Sequence, residues 1–145
     1  MKAIDKSDSG KNQVKLTEKA KKEHIDAAFV YFSTACVEAP EFSMAYYKRG
    51  KCYMMMHDYK RALYDFSAAI LNETRYSNKQ HYGQIKGEGG NALFYMYAGQ
   101  CNYYLGQYDE ALAHYEIAMK HDPSDQLKGQ ILYNKGLANS SLMRY

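Results

Sequence analysis

The feature that most constrains this chain is a three-residue signature that returns. Ala62, Phe66 and Ala69 follow the spacing A-x3-F-x2-A, and 34 residues earlier stand Ala28, Phe32 and Ala35. The triplet appears again as Ala111, Tyr115 and Ala118, 49 residues after the middle copy, so about 15 extra residues separate the second and third copies. A spacing of 3 and 4 puts each triplet on one face of a helix. Recurrence at 34 residues means that one supersecondary unit is stacked on copies of itself.

A second signature precedes two of the triplets. Tyr46 lies four residues before Gly50, which lies twelve before Ala62, and Tyr95, Gly99 and Ala111 keep the same intervals. Nine residues past each glycine comes Tyr59 or Tyr108, and Pro40 and Pro123 each fall twelve residues after their alanine, Ala28 and Ala111, where a helix must stop. Helices that cross closely need small residues at the crossing, and Gly50 with Ala62, and Gly99 with Ala111, supply them. Cys52 and Cys101, each two residues past its glycine, read as small buried fillers.

These residues carry a family resemblance. The stretch 95–123, YMYAGQCNYYLGQYDEALAHYEIAMKHDP, resembles the tetratricopeptide repeat, a 34-residue helix-turn-helix with the pattern W-x2-L-G-x2-Y, A-x3-F and a closing proline. It departs at Asn102, where an aromatic is usual, and the 43–71 copy departs at Arg49 and lacks the proline. The resemblance implies an all-α, right-handed superhelix of stacked antiparallel hairpins, and a concave groove that takes a protein partner. It divides the chain into a basic, flexible arm at 1–13 and one domain at 14–145: a partial repeat 14–42, a repeat 43–74, an insertion 75–90, a repeat 91–125 and the first helix of a further repeat at 126–145. The basic start also reads as a solvated helix face.

Helices are expected over 14–38, continuous or broken near His24, and over 43–56, 59–74, 91–105, 108–121 and 127–143. Asn91 is the expected N-cap of the fourth, and Ser124 or Asp125 that of the sixth. In the sixth, Leu132, Gly136 and Tyr145 repeat the aromatic-or-apolar, glycine, tyrosine intervals. On that spacing these 145 residues are expected to be part of a longer repeat protein, because the apolar face of 130–143 awaits a covering helix.

With Tyr46 and Gly50 turned into the hairpin, the complementary face of its first helix holds Met44, Tyr47, Lys48, Lys51 and Met55, with Met54 beside them. The equivalent face of the next hairpin holds Leu93, Met96, Tyr97, Gln100, Tyr103 and Tyr104, and the last helix offers Gln130, Tyr133, Asn134, Leu137 and Ser141. The chain has sixteen tyrosines and no tryptophan, and Tyr47, Tyr97, Tyr103, Tyr104 and Tyr133 exceed what the repeat requires for its core. Burial between neighbouring repeats is the competing explanation for each. A groove of Tyr and Met suits a peptide or amphipathic helix of another protein. Co-chaperones of this family share a lysine and asparagine clamp for a terminal carboxylate; here the matching places hold Tyr47 and Lys51, Tyr97, then Gln130 and Asn134, so that clamp is absent.

Charge and composition exclude other roles. Seven lysines among residues 1–24 against Asp5, Asp8, Glu18 and Glu23 account for the whole net charge of +3, leaving the remainder neutral and without the basic face nucleic acid requires. No apolar leader or membrane span is visible, so a soluble, intracellular, cytoplasmic protein is expected. Cys36, Cys52 and Cys101 lack a C-x-x-C pair and read as reduced thiols. The histidines, His24, His57, His81, His114 and His121, form no zinc helix, and His114 with His121 reads as an exposed face. The run 83–90, GQIKGEGG, lacks the G-K-[ST] ending that holds a nucleotide. No catalytic residue, metal or cofactor is expected. The competing functional class is self-assembly, in which exposed helix faces at the chain ends pack on other copies.

Overall fold

The computed structural model describes residues 6–77 and 90–143, with side chains over 17–74 and 92–143. All regular structure among them is helical: α1 Lys6–Glu38, α2 Ser43–Met55, α3 Tyr59–Ser77, α4 Gly90–Tyr104, α5 Tyr108–Lys120 and α6 Asp125–Leu142. Each helix packs on the next in the chain, and α4 also touches α6. This is an all-α helical repeat fold.

α1 is one helix without a break at His24, and residues 6–13, expected as an arm, belong to it. Its lysines, alanines and glutamates are strong helix formers, and Pro40 ends it. α3 extends to Ser77 and α4 begins at Gly90, so Asn91 lies inside the helix it was expected to cap; residues 78–89 of the insertion lie outside the described residues. Ser124 does cap α6, its Oγ accepting from the Leu127 N–H at 3.3 Å.

Both hairpin turns solve the same problem identically. Gly106 and His57 take left-handed backbone with φ of 76° and 58°. In each turn two N–H groups return to the end of the preceding helix, Gly106 to Tyr103 and Gln107 to Asn102, His57 to Met54 and Asp58 to Tyr53. This capping motif favours glycine, and His57 occupies its position at a cost of about 1–2 kcal/mol.

The crossings are closer than the sequence conveys. A methyl group added at Gly99 would lie 2.5 Å from the Tyr115 ring, and one at Gly50 2.9 Å from the Phe66 ring. The ring of each triplet, rather than its alanine, therefore lies over the glycine, while Ala62 and Ala111 are fully buried beside it. Removing an apolar side chain of Phe size from water is worth about 1.5–3 kcal/mol. Two cores result. Tyr47, Ala62, Phe66, Ala69, Phe94, Ala98 and Cys101 form one, and Ala92, Met96, Ala111, Tyr115, Ala118, Leu127, Ile131 and Ala138 the other. α4 contributes to both, which is why apolar residues occupy most of its circumference.

Each complete hairpin also buries one polar link. In the first, Arg49 donates from Nε and Nη2 to both carboxylate oxygens of Asp65 at 2.8 Å, and Asp65 is 1% exposed. That bond raises the Arg49 pKa further above its ordinary value. In the second, His114 Nδ1 donates to Asn102 Oδ1 at 2.6 Å and Asn102 Nδ2 donates to Gln107 Oε1 at 2.9 Å. Two of the departures from the family pattern, Arg49 and Asn102, are thus members of these links. His114, expected on an exposed face, is half-buried, and burial lowers its pKa.

Two outcomes follow for chemical denaturation. Gly99→Ala should cost about 1–3 kcal/mol, because the buried Tyr115 ring has no room to retreat, whereas Gly129→Ala, where an added methyl meets nothing within 4 Å, should gain about 0.5–1 kcal/mol from helix propensity. A lowered His114 pKa means the unfolded chain binds the proton more readily. The His114 contribution is therefore complete above its ordinary value of 6.5 and is lost as pH falls towards the folded value. The midpoint of thermal unfolding should drop between pH 7.5 and about 5.5, and His114→Gln should flatten that slope.

Candidate functional site

The first helices of the hairpins, α2 and α4, and then α6 lie in sequence along one side of the stack. Ring contacts between Tyr47 of α2 and Phe94 and Tyr97 of α4, at 5.0 and 5.8 Å, set the first spacing. The second comes from the core that Ala92 and Met96 of α4 share with Leu127 and Ile131 of α6.

Of the seventeen residues expected to line the groove, two are interior. Tyr47 is 6% exposed, packed among Phe66, Phe94 and Tyr97, and Met96 is 2% exposed in the second core. The reason is geometric: adjacent first helices touch each other as well as their own partners, so the residues midway between the two faces are covered by the next repeat. Met44 and Leu93 are half-buried against the two cores. Tyr97 is half-buried with its ring stacked on Phe66 at 5.6 Å.

Tyr104 stacks on Tyr59 at 4.6 Å and 17°, and Tyr103 meets both Tyr104 and Tyr108. Much of the tyrosine surplus therefore joins neighbouring repeats through ring contacts. Tyr133 differs: it is 68% exposed and stands on the open face of α6.

The charged part of the face lies at α2. Lys48 is exposed, with its Nζ 5.7 Å from the Tyr47 ring centroid. Lys51 Nζ sits 5.6 Å from Tyr47 and 5.3 Å from Tyr97, bridging α2 and α4. A cation held over two rings is anchored there and still presents charge to solvent. Met55 is exposed at the end of α2.

Further along, Gln100 of α4 and Gln126, Gly129, Gln130, Tyr133 and Asn134 of α6 line an open depression of about 340 Å³. Four of these, Gln100, Gln130, Tyr133 and Asn134, were expected in the groove. Gln126 and Gly129 were missed, although they share one helix face with Gln130 and Tyr133 by the 3 and 4 spacing. Gly129 makes the depression possible, since nothing lies within 4 Å of where its Cβ would be. Asn134 Nδ2 is buried and has no hydrogen-bond partner among the described residues. The lining is uncharged and rich in side-chain amides, each both donor and acceptor.

No thiol lines the depression. Cys36, Cys52 and Cys101 are free and buried, and burial raises all three, Cys101 to about 12. They are thiols rather than thiolates near neutral pH. Among the described residues no cluster of His, Cys, Asp and Glu is arranged to hold a metal ion, and no helix is long and apolar enough to cross a membrane.

No curated protein matches the chain. A family model described as tetratricopeptide repeat matches residues 92–125, which span α4, its turn and α5. That segment contains Gly99 against Tyr115, the glycine turn at Gly106, and Ala111 and Ala118 in the core. Residues 92–125 are a tetratricopeptide repeat, set in an all-α array whose neighbouring hairpin is built on the same crossing.

Proposed function

We propose that this protein-interaction module holds an extended peptide segment of a partner protein along α2, α4 and α6. The observation that carries the reading is the amide-lined depression of Gln100, Gln126, Gly129, Gln130, Tyr133 and Asn134, with its unpartnered Asn134 Nδ2. A buried donor without an acceptor is costly, by about 1–3 kcal/mol, and a turn of the Asn134 amide towards the depression gives it a peptide carbonyl as acceptor. Gln and Asn side chains pair with the N–H and C=O groups that an extended chain leaves open and an amphipathic helix uses internally. This favours a peptide over a helix as the occupant. The exposed Tyr133 ring supplies the apolar contact beside it, and Lys48 and Lys51 favour an acidic residue at the α2 end.

The remaining groove residues take supporting roles in this reading. Tyr97 and Tyr104 wall the face between the lysines and the depression, while Met44, Met55 and Leu93 give it an apolar border. Tyr47 and Met96 act from beneath, fixing the spacing of the helices.

Selection of a random peptide library on the immobilised chain, followed by titration of a selected peptide, tests the reading. Gly129→Leu extends a branched side chain into the depression from a position whose Cβ meets nothing within 4 Å, and Tyr133→Ala removes a ring absent from both cores. Each should weaken the selected peptide about tenfold or more, with helicity unchanged by circular dichroism. Peptides that bind both variants as tightly as the parent chain would place recognition elsewhere.

A further inference from the structure

Two helices of the stack carry half of a hairpin each. α6 aligns with α4 at an interval of 37: Ile131 and Ala138 stand where α4 has Phe94 and Cys101, and all four are buried. The same interval sets Gly136 on Gly99 and Leu132 on Tyr95. In α2 and α4 that face is covered by a second helix, whose ring packs on the glycine. Among the described residues nothing covers it in α6: Leu132 is 55% exposed, Met143 is exposed, and nothing lies within 4 Å of a Cβ built on Gly136.

α1 shows the converse. Its Ala28, Phe32 and Ala35 stand 34 residues before Ala62, Phe66 and Ala69, which are fully buried, yet the α1 triplet is only half-buried. Tyr31, at the place of buried Asp65, is 76% exposed. Among the described residues α1 packs on α2, whose contact includes the edge-on rings of Phe29 and Tyr53 at 5.1 Å; no first helix lies on the triplet.

We propose that α6 of one copy pairs with α1 of a second copy, completing a helical hairpin in trans with the Phe32 ring over Gly136. This goes beyond the peptide-holding role, and none of Lys128, Leu132 and Gly136 lines the depression. The trans pair continues the interface already formed twice within the chain, by Gly50 with Phe66 and by Gly99 with Tyr115. Its charges agree. In the α4–α5 hairpin Tyr95 stacks on His121 at 5.1 Å, and the equivalent positions are Leu132 and Glu38. Lys128, one turn before Leu132 on the same face, then arrives beside Glu38 and Glu41, both exposed carboxylates. Because the two faces differ, the contact is head-to-tail and does not close at two copies; it adds further copies with concentration.

Sedimentation of the full chain tests this. The parent chain should show a mass that rises with concentration beyond twice the 16.7 kDa of one copy. Gly136→Leu blocks the α6 face at a position that is open within one copy, and Phe32→Glu blocks the α1 face, with Tyr31→Glu as its exposed counterpart should Phe32→Glu lose helicity. Each blocked variant alone should sediment as one copy. An equal mixture of an α6-blocked and an α1-blocked variant should form a dimer and stop there, since one intact face of each kind remains. A parent chain that stays a single copy at every concentration overturns the proposal. So does association that survives both substitutions, or a mixture that fails to dimerise.

Discussion

The structure depends on a ring resting against a helix at a position that has no side chain. Gly50 under Phe66 and Gly99 under Tyr115 bring paired helices to a separation at which a single methyl group would collide, at 2.9 and 2.5 Å. Close approach buries the flanking alanines completely and leaves no gap for water. The crossing also fixes rotation about each helix axis, because only one face of each first helix has a glycine. Once that face is turned inward, the faces of α2, α4 and α6 that look along the stack are determined, and with them the position of the depression.

α4 is where the two hairpins become one body. Its Phe94, Ala98 and Cys101 enter the core shared with α3, while Ala92 and Met96 enter the core shared with α5 and α6. A helix so enclosed cannot turn without disturbing both neighbours, so the spacing between Lys51 and the Gln100 wall is held by packing on both sides. Tyr47 and Tyr97 add to this, standing between α2 and α4 beneath the lysines. The polar links differ between hairpins, Arg49 with Asp65 and Asn102 with His114, yet each joins a first helix to its second and satisfies its own buried groups. Each link is self-contained, so neither substitutes for the crossing.

The hairpins were legible because their cause is periodic. The recurrence of Ala62, Phe66 and Ala69 at fixed intervals, and Gly50 and Gly99 at a constant distance before them, states the crossing directly in residue types. Helix limits from 43 onward fall within a few residues of expectation for the same reason. The face that looks along the stack was harder to read. Tyr47 and Tyr133 are both tyrosines at the edge of a first helix, but α4 covers the one, and among the described residues nothing covers the other. That distinction depends on the distance between repeats, which no local spacing encodes. Arg49 and Asn102 looked like departures from the pattern because their partners, Asp65 and His114, lie in the second helix and carry no motif of their own. Gly129 was overlooked since its contribution is an absence of side chain opposite Gln100, visible only when α4 and α6 are set side by side.

The central claim is that glycine and ring are energetically one unit at each crossing, and a double-mutant cycle by urea denaturation addresses it directly. Gly99→Ala is measured in the parent chain and again in Tyr115→Leu, whose smaller side chain leaves room for the added methyl group. The account predicts strong coupling, with the alanine costing at least about 1 kcal/mol less when the ring is gone. Costs that simply add, to within about 0.5 kcal/mol, would show that Gly99 and Tyr115 act independently, and the close crossing would no longer explain the fold.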